Sequence, residues 1–115
     1  MPSYQVKGSG YFPFANKMEG GFVDRLGKPL KTLQDFLDGK AEYVSVAMDK
    51  NLSIKYGTKL RIPELEKKYN RQIEFRVVDT GGDFTGKGYT RIDICTRNRE
   101  ASLEPTLNGT LTLQF

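Results

Sequence analysis

Glycine interrupts this chain before any apolar run grows long, and that limits its fold more than any other feature. The 12 glycines and 5 prolines stand between short apolar stretches, a punctuation that suits many short strands joined by turns and disfavours long helices. The expected class is therefore all-β or β-rich. At 115 residues the chain fits a single domain over 1–115, because a single core serves chains well beyond this length. Its 37% hydrophobic and 11% aromatic content suffices to bury about two thirds of the unfolded surface.

Local signals place the elements. Gly8 to Gly27 carries Tyr11, Phe12, Phe14 and Phe22 among six glycine and proline residues and reads as a short strand followed by a loop. Thr32-Leu33-Gln34-Asp35 opens a two-turn helix: Thr32 is placed to accept from an early backbone N–H, Asp35 to reply, and Gly39 to stop it. Tyr43 to Met48 reads as a buried strand, and Lys59 to Ile62 as another that Pro63 ends. Pro63 to Tyr69 forms a brief helix that Asn70 terminates. Ile73, Phe75 and Val77 alternate with Glu74, Arg76 and Val78; Ile92, Ile94 and Thr96 alternate with Arg91, Asp93, Cys95 and Arg97. Gly109 to Phe115 supplies a last strand. Five or six short strands with two small helices imply a small closed barrel, because closure removes the exposed edges.

Composition excludes several chemistries. The balance of 18 Lys and Arg against 14 Asp and Glu gives net charge +4, but the cations alternate with acids and form no stripe, so nucleic acid is not the expected partner. A mild positive excess attracts anionic polymers. With no histidine and the single cysteine Cys95, histidine triads, an internal disulfide and most zinc arrangements are ruled out, and neither metal nor cofactor is expected. Cys95 sits in an apolar strand and reads as a buried small hydrophobe. No run reaches the length of a membrane span. The start, Met1 to Lys7, lacks the pattern of a secretory signal, which leaves a removed signal or another export route. A monomer is expected.

Three aspartates share one grammar: Asp49 ends Val44-Ser45-Val46-Ala47-Met48, Asp79 ends Phe75-Arg76-Val77-Val78, and Asp93 lies within Arg91-Ile92-Asp93-Ile94. If those strand ends meet, repulsion among the carboxylates raises the proton affinity of at least one, as a general acid near neutral pH requires. Alone, each aspartate reads more readily as a turn cap or a partner of Arg76, Arg91 or Arg97. Tyr11, Phe12 and Phe14 are stacking candidates for sugar rings and core candidates as well. Glu19 beside Gly20-Gly21 is a possible second carboxylate. Gly81-Gly82 through Gly88 lacks the following Lys-Ser or Lys-Thr of a phosphate loop.

Taken together, Val46-Ala47-Met48-Asp49, Tyr56-Gly57-Thr58-Lys59-Leu60-Arg61-Ile62-Pro63, Val78-Asp79-Thr80-Gly81-Gly82 and Arg91-Ile92-Asp93-Ile94 resemble the 3D, or three-aspartate, domain family. The family includes the catalytic domain of A-type membrane-bound lytic transglycosylases and small wall proteins related to resuscitation factors. The resemblance covers residues 41–96. It implies a six-stranded double-psi-type β-barrel and lytic cleavage of peptidoglycan between N-acetylmuramic acid and N-acetylglucosamine, outside the cytoplasm. By the same resemblance Asp93 is acid and base, Asp79 its neighbour and Asp49 a shaper of the site; Thr58, Thr80 and Gly81 orient substrate or aspartates, and Tyr11 stands in the opening strand. Two departures are visible. The loop between Gly82 and Arg91 is longer than the family's, and residues 18–39 read as an insertion over the groove. The alternatives are a non-catalytic glycan-binding barrel of the rare lipoprotein A or expansin type, and a structural module of a secreted assembly.

Overall fold

The computed structural model describes residues 3–12, 26–49, 54–80 and 90–115. Among them the chain forms β1 (Ser3–Tyr11), α1 (Leu33–Leu37), β2 (Val44–Met48), β3 (Thr58–Leu60), α2 (Pro63–Tyr69), β4 (Phe75–Thr80), β5 (Arg91–Cys95), α3 (Arg99–Ser102) and β6 (Thr110–Gln114). The protein is β-rich, as the glycine punctuation requires.

The helix ends follow their local chemistry. Thr32 Oγ1 accepts from Asp35 N at 3.0 Å and Asp35 Oδ2 accepts from Thr32 N at 3.3 Å, a reciprocal cap that satisfies two donors α1 would otherwise leave open. Gly39 follows with φ 76°. Pro63 opens α2, and Asn70 ends it in the left-handed region at φ 54°. The sequence reading has two helices; the third, α3, is only four residues long, too short to show a periodicity. Its start is fixed by Asn98 Oδ1, which accepts from Ala101 N at 2.8 Å.

All six strands join one sheet in the order β3-β4-β2-β5-β1-β6. The order has an internal symmetry. On one side β3 runs antiparallel to β4, which runs parallel to β2; on the other β6 runs antiparallel to β1, which runs parallel to β5. An antiparallel β2–β5 pair joins the two triplets.

The sheet curls into a half-barrel. Leu60 on one edge strand and Leu111 and Leu113 on the other belong to the same buried cluster as Val44, Val46, Phe75, Val77, Ile92 and Ile94, so this face lines the inside of the curl. At one point the edges touch: just beyond β3, Arg61 N donates to Gln114 O at 2.8 Å and Gln114 N to Arg61 O at 2.9 Å. The closed barrel of the sequence reading is thus replaced by a half-barrel with a seam. Pro63, without an amide, stops β3 from continuing along β6, and α2 turns toward β6 instead. Its Glu64 takes the place of a strand, accepting from Thr112 N at 2.9 Å through Oε1 and from Thr112 Oγ1 at 2.8 Å through Oε2.

The middle of β1 presents no side chain on the inner face. A Cβ on Gly8 would collide with Leu107 O and the Leu111 side chain, and one on Gly10 would lie 2.7 Å from both Cα and O of Ser102. The chain after β5 therefore packs directly on the β1 backbone. Gly10→Ala should lower the free energy of unfolding in urea by about 1–3 kcal/mol, the usual cost of overpacking.

The seam carries a pH dependence. Burial pushes the Glu64 carboxyl up, but the Thr112 amide and hydroxyl outweigh it, and the net shift is downward. A carboxylate held below its unfolded value contributes stability above about pH 4.3, and the contribution disappears as pH falls through the lowered folded value. Acid titration of wild type against Glu64→Gln, followed by thermal unfolding, should show a shallower loss of stability below about pH 4 in the variant. A residual slope should come from Glu104. Burial pushes that carboxyl up too, while the Thr106 and Leu107 amides and Lys68 together hold it lower.

Candidate functional site

Asp79 and Asp93 share the outer face of the curl. Within β5, Ile92 and Ile94 belong to the core, so alternation turns Asp93 and Cys95 to the opposite face. Asp93 pairs with Ala47 of β2, and Ala47 pairs on its other side with Asp79 of β4. Ser9 of β1 pairs with Asp93 from the far side. One row therefore crosses four strands as Asp79, Ala47, Asp93, Ser9.

A bulge makes this row. Val46 pairs with Val77, but the next pair is Ala47 with Asp79, so Val78 is an extra residue on β4. In an unbroken ladder Val78 would stand opposite Ala47, and Asp79 would follow Phe75 and Val77 onto the inner face. One inserted residue moves Asp79 to the other side. Both carboxylates raise the proton affinity of Tyr11 and Cys95, which places their charge on the face those side chains share.

Sheet spacing sets Asp79 and Asp93 two strands apart, about 10 Å at Cα. Only the methyl of Ala47 lies between them. Ser9 Oγ donates to Asp93 Oδ1 and fixes that carboxylate from the opposite side. Ser9 is a member of this row that sequence reasoning missed. The signal was present in Gly8-Ser9-Gly10: with both glycines pressed inward, the intervening serine is the one side chain of the triplet left to face out.

The row has a buried floor. Tyr11 pairs with Cys95, and the Tyr11 hydroxyl is enclosed against the Cys95 thiol. Burial, then the charges around it, hold its proton well above the ordinary phenol value. The Cys95 thiol, wholly buried, is pushed up to about 12 by burial and then by Asp35 and Asp79, against a smaller opposing effect of Tyr11. It stays a thiol and is no nucleophile, in keeping with its reading as a buried hydrophobe. Asp35 reaches this floor from α1, which Lys31 tethers to β2: Lys31 N donates to Ser45 Oγ and Ser45 N to Lys31 O, at 2.9 and 2.8 Å. The adjoining Gln34 Oε1 accepts from Arg97 N at 2.7 Å.

The remaining candidates scatter. Asp49 follows the last residue of β2 and is buried at 5% exposure, two residues beyond Ala47. Thr80 pairs through its backbone with Met48, next to Asp79. Thr58 stands apart: it pairs with Val77 at the sheet edge, in line with core residues, and its hydroxyl donates to Lys55 O at 2.6 Å. Gly81, Glu19 and residues 18–25 of the expected insertion lie outside the described residues. No cluster of three or more metal-ligating side chains occurs among the described residues, and none of their helices is long and apolar enough to cross a membrane.

No family model, curated protein or solved structure matches the chain. The functional reading therefore rests on the row and on the motifs that build it.

A hydroxyl donor favours the charged form of the carboxylate it binds. Ser9→Ala should move the titration midpoint of Asp93 to higher pH, with a smaller change at Asp79, as read from carboxyl carbon shifts.

Proposed function

We infer that the chain is a peptidoglycan lytic transglycosylase of the three-aspartate type on a double-psi barrel. The observation that carries this reading is the pairing of Asp79 and Asp93 on either side of Ala47, with Ser9 bound to Asp93. The barrel type draws support from the two symmetric strand triplets about β2 and β5.

Asp93 starts as the carboxylic acid. It gives its proton to the glycosidic oxygen as the bond from that oxygen to the muramic C1 breaks, and the N-acetylglucosamine unit leaves as an alcohol. The muramic C6 hydroxyl then attacks C1, and its proton passes to the Asp93 carboxylate. The acid is restored, no water is consumed, and the product ends in a 1,6-anhydro ring. One carboxyl group does both transfers, in contrast to hydrolases that use two separated carboxylates. Asp79 raises the proton affinity of Asp93 by its charge. Ser9 and Asp49 hold the geometry, while Thr80 and Gly81 supply donors to the sugar. The net positive charge of +4 favours a glycan that carries carboxylates.

Purified peptidoglycan incubated with the protein should release fragments one water lighter than hydrolysed ones by mass. Asp93→Asn keeps the shape and removes the proton, so anhydro product should fall by about three orders of magnitude or more. Asp79→Asn should reduce turnover less and shift its pH profile. If wild type binds glycan and releases no anhydro product at any pH, a glycan-binding barrel replaces the enzyme; if Asp93→Asn is as active as wild type, the acid has been assigned to the wrong residue.

A further inference from the structure

Beyond the end of β5, a cleft of about 460 Å³ opens between α1, α2 and α3, a size that suits a small organic group. Two side-chain amides line it in fixed orientation. Gln34 Oε1 accepts from Arg97 N at 2.7 Å, and Asn98 Oδ1 accepts from Ala101 N at 2.8 Å. A backbone N–H can meet only the oxygen of an amide, so in each case the NH2 group is turned away from the bond that holds the side chain. Neither NH2 group donates to a described residue. These donors are oriented before any ligand arrives, which spares part of the ordering that binding otherwise costs.

The rest of the lining decides what kind of ligand fits. Glu104 brings a carboxylate, but its Oε1 is paired with Lys68 Nζ at 3.0 Å and its Oε2 accepts from Leu107 N at 3.0 Å. Arg97 and Glu100 add one cation and one anion. The cleft is therefore close to neutral, which disfavours a phosphate or an acidic peptide. Leu103, 65% exposed, and Tyr69 supply apolar surface. Donors for a carbonyl, a carboxylate for an N–H and an apolar wall for a methyl together match an acetamido group on a neutral sugar.

We propose that this cleft is a subsite for an N-acetylhexosamine unit of the glycan: Gln34 and Asn98 donate to the acetamido carbonyl and a neighbouring hydroxyl, Glu100 accepts from the acetamido N–H, and Leu103 takes the methyl. The inference rests on the reading of the row as a glycan site. Arg97 follows Asp93 by four residues, so their Cα atoms are at most about 14 Å apart, and a short run of sugars held at Asp93 reaches the cleft. Binding energy gained away from the reacting bond then serves to hold the chain in place for cleavage.

Tri-N-acetylchitotriose is the probe, because it carries acetamido groups and no muramic unit. In NMR titrations the side-chain NH2 signals of Gln34 and Asn98 should shift with this trimer and stay still with maltotriose, which has no acetamido group. Gln34→Glu and Asn98→Asp keep the oxygens that hold Arg97 N and Ala101 N and exchange each donor for an acceptor. Each should weaken binding of the trimer about tenfold, with the melting temperature level because the cap at Asn98 survives as aspartate. Silent Gln34 and Asn98 signals at millimolar trimer overturn the proposal, as does affinity unchanged in both variants. Equal shifts with maltotriose overturn it too, and shifts with acetyl-alanyl-alanine amide but none with the trimer replace the sugar by a peptide. The readout is separate from cleavage: shifts at the cleft without anhydro product leave the subsite standing on a glycan-binding barrel, whereas anhydro product with a silent cleft removes the subsite alone.

Discussion

Two reciprocal hydrogen bonds between Arg61 and Gln114 hold the edges of this sheet together, and the rest of the molecule depends on that contact. A six-stranded sheet left open would expose its inner face and two strand edges. Drawn together at one point, the edges enclose a core from Leu60 on one side to Leu113 on the other. The remaining seam is covered by α2, whose Glu64 satisfies the Thr112 amide. A side chain thus stands where a strand would stand in a closed barrel. Because an unpaired edge amide would cost about 1–3 kcal/mol, a single carboxylate is a significant part of the closure.

The curl also determines where chemistry can sit. With the inner face filled by Val, Ile, Leu and Phe, polar residues of the central strands must face outward. On that side the floor is dry: Ala47 is 3% exposed and Cys95 fully buried. Charge placed on such a floor interacts more strongly than in water, which is why Asp79 and Asp93 are felt at Tyr11 and Cys95. Close packing on the inner side has a second effect. It forces glycine at positions 8 and 10, and so leaves Ser9 as the outward side chain that meets Asp93.

The site is built from strands that are distant in the sequence but share one row, and its precision comes from ladder hydrogen bonds. Ser9 and Asp93 are 84 residues apart, yet two paired backbones fix their approach. A row on regular strands is held more rigidly than residues on loops. The helix α1 adds a longer-range constraint, bringing Asp35 toward Cys95 while its own carboxylate caps Thr32.

Much of this was legible in the residues. The cap of Thr32 and Asp35, the stop at Gly39, the proline start and asparagine end of α2, and the alternation that places Ile92 and Ile94 inside are all local effects, decided within a few neighbouring residues by sterics and hydrogen bonding. Continued past Val78, the same alternation would turn Asp79 inward with Phe75 and Val77. The register against β2 decided otherwise by expelling Val78 as a bulge, and no local signal marks which residue a ladder will skip. Full closure was expected from the sequence, and its true extent was hidden for the same reason: the chain shows where β3 stops, at Pro63, but whether Gln114 reaches Arg61 depends on the accumulated twist of six paired strands. The amino-acid sequence by itself determined the elements, their ends and the residue types available for chemistry. Tertiary structure alone decided pairing, and with it which carboxylates share a face, because a one-residue change of register leaves every local preference satisfied and turns every later side chain over.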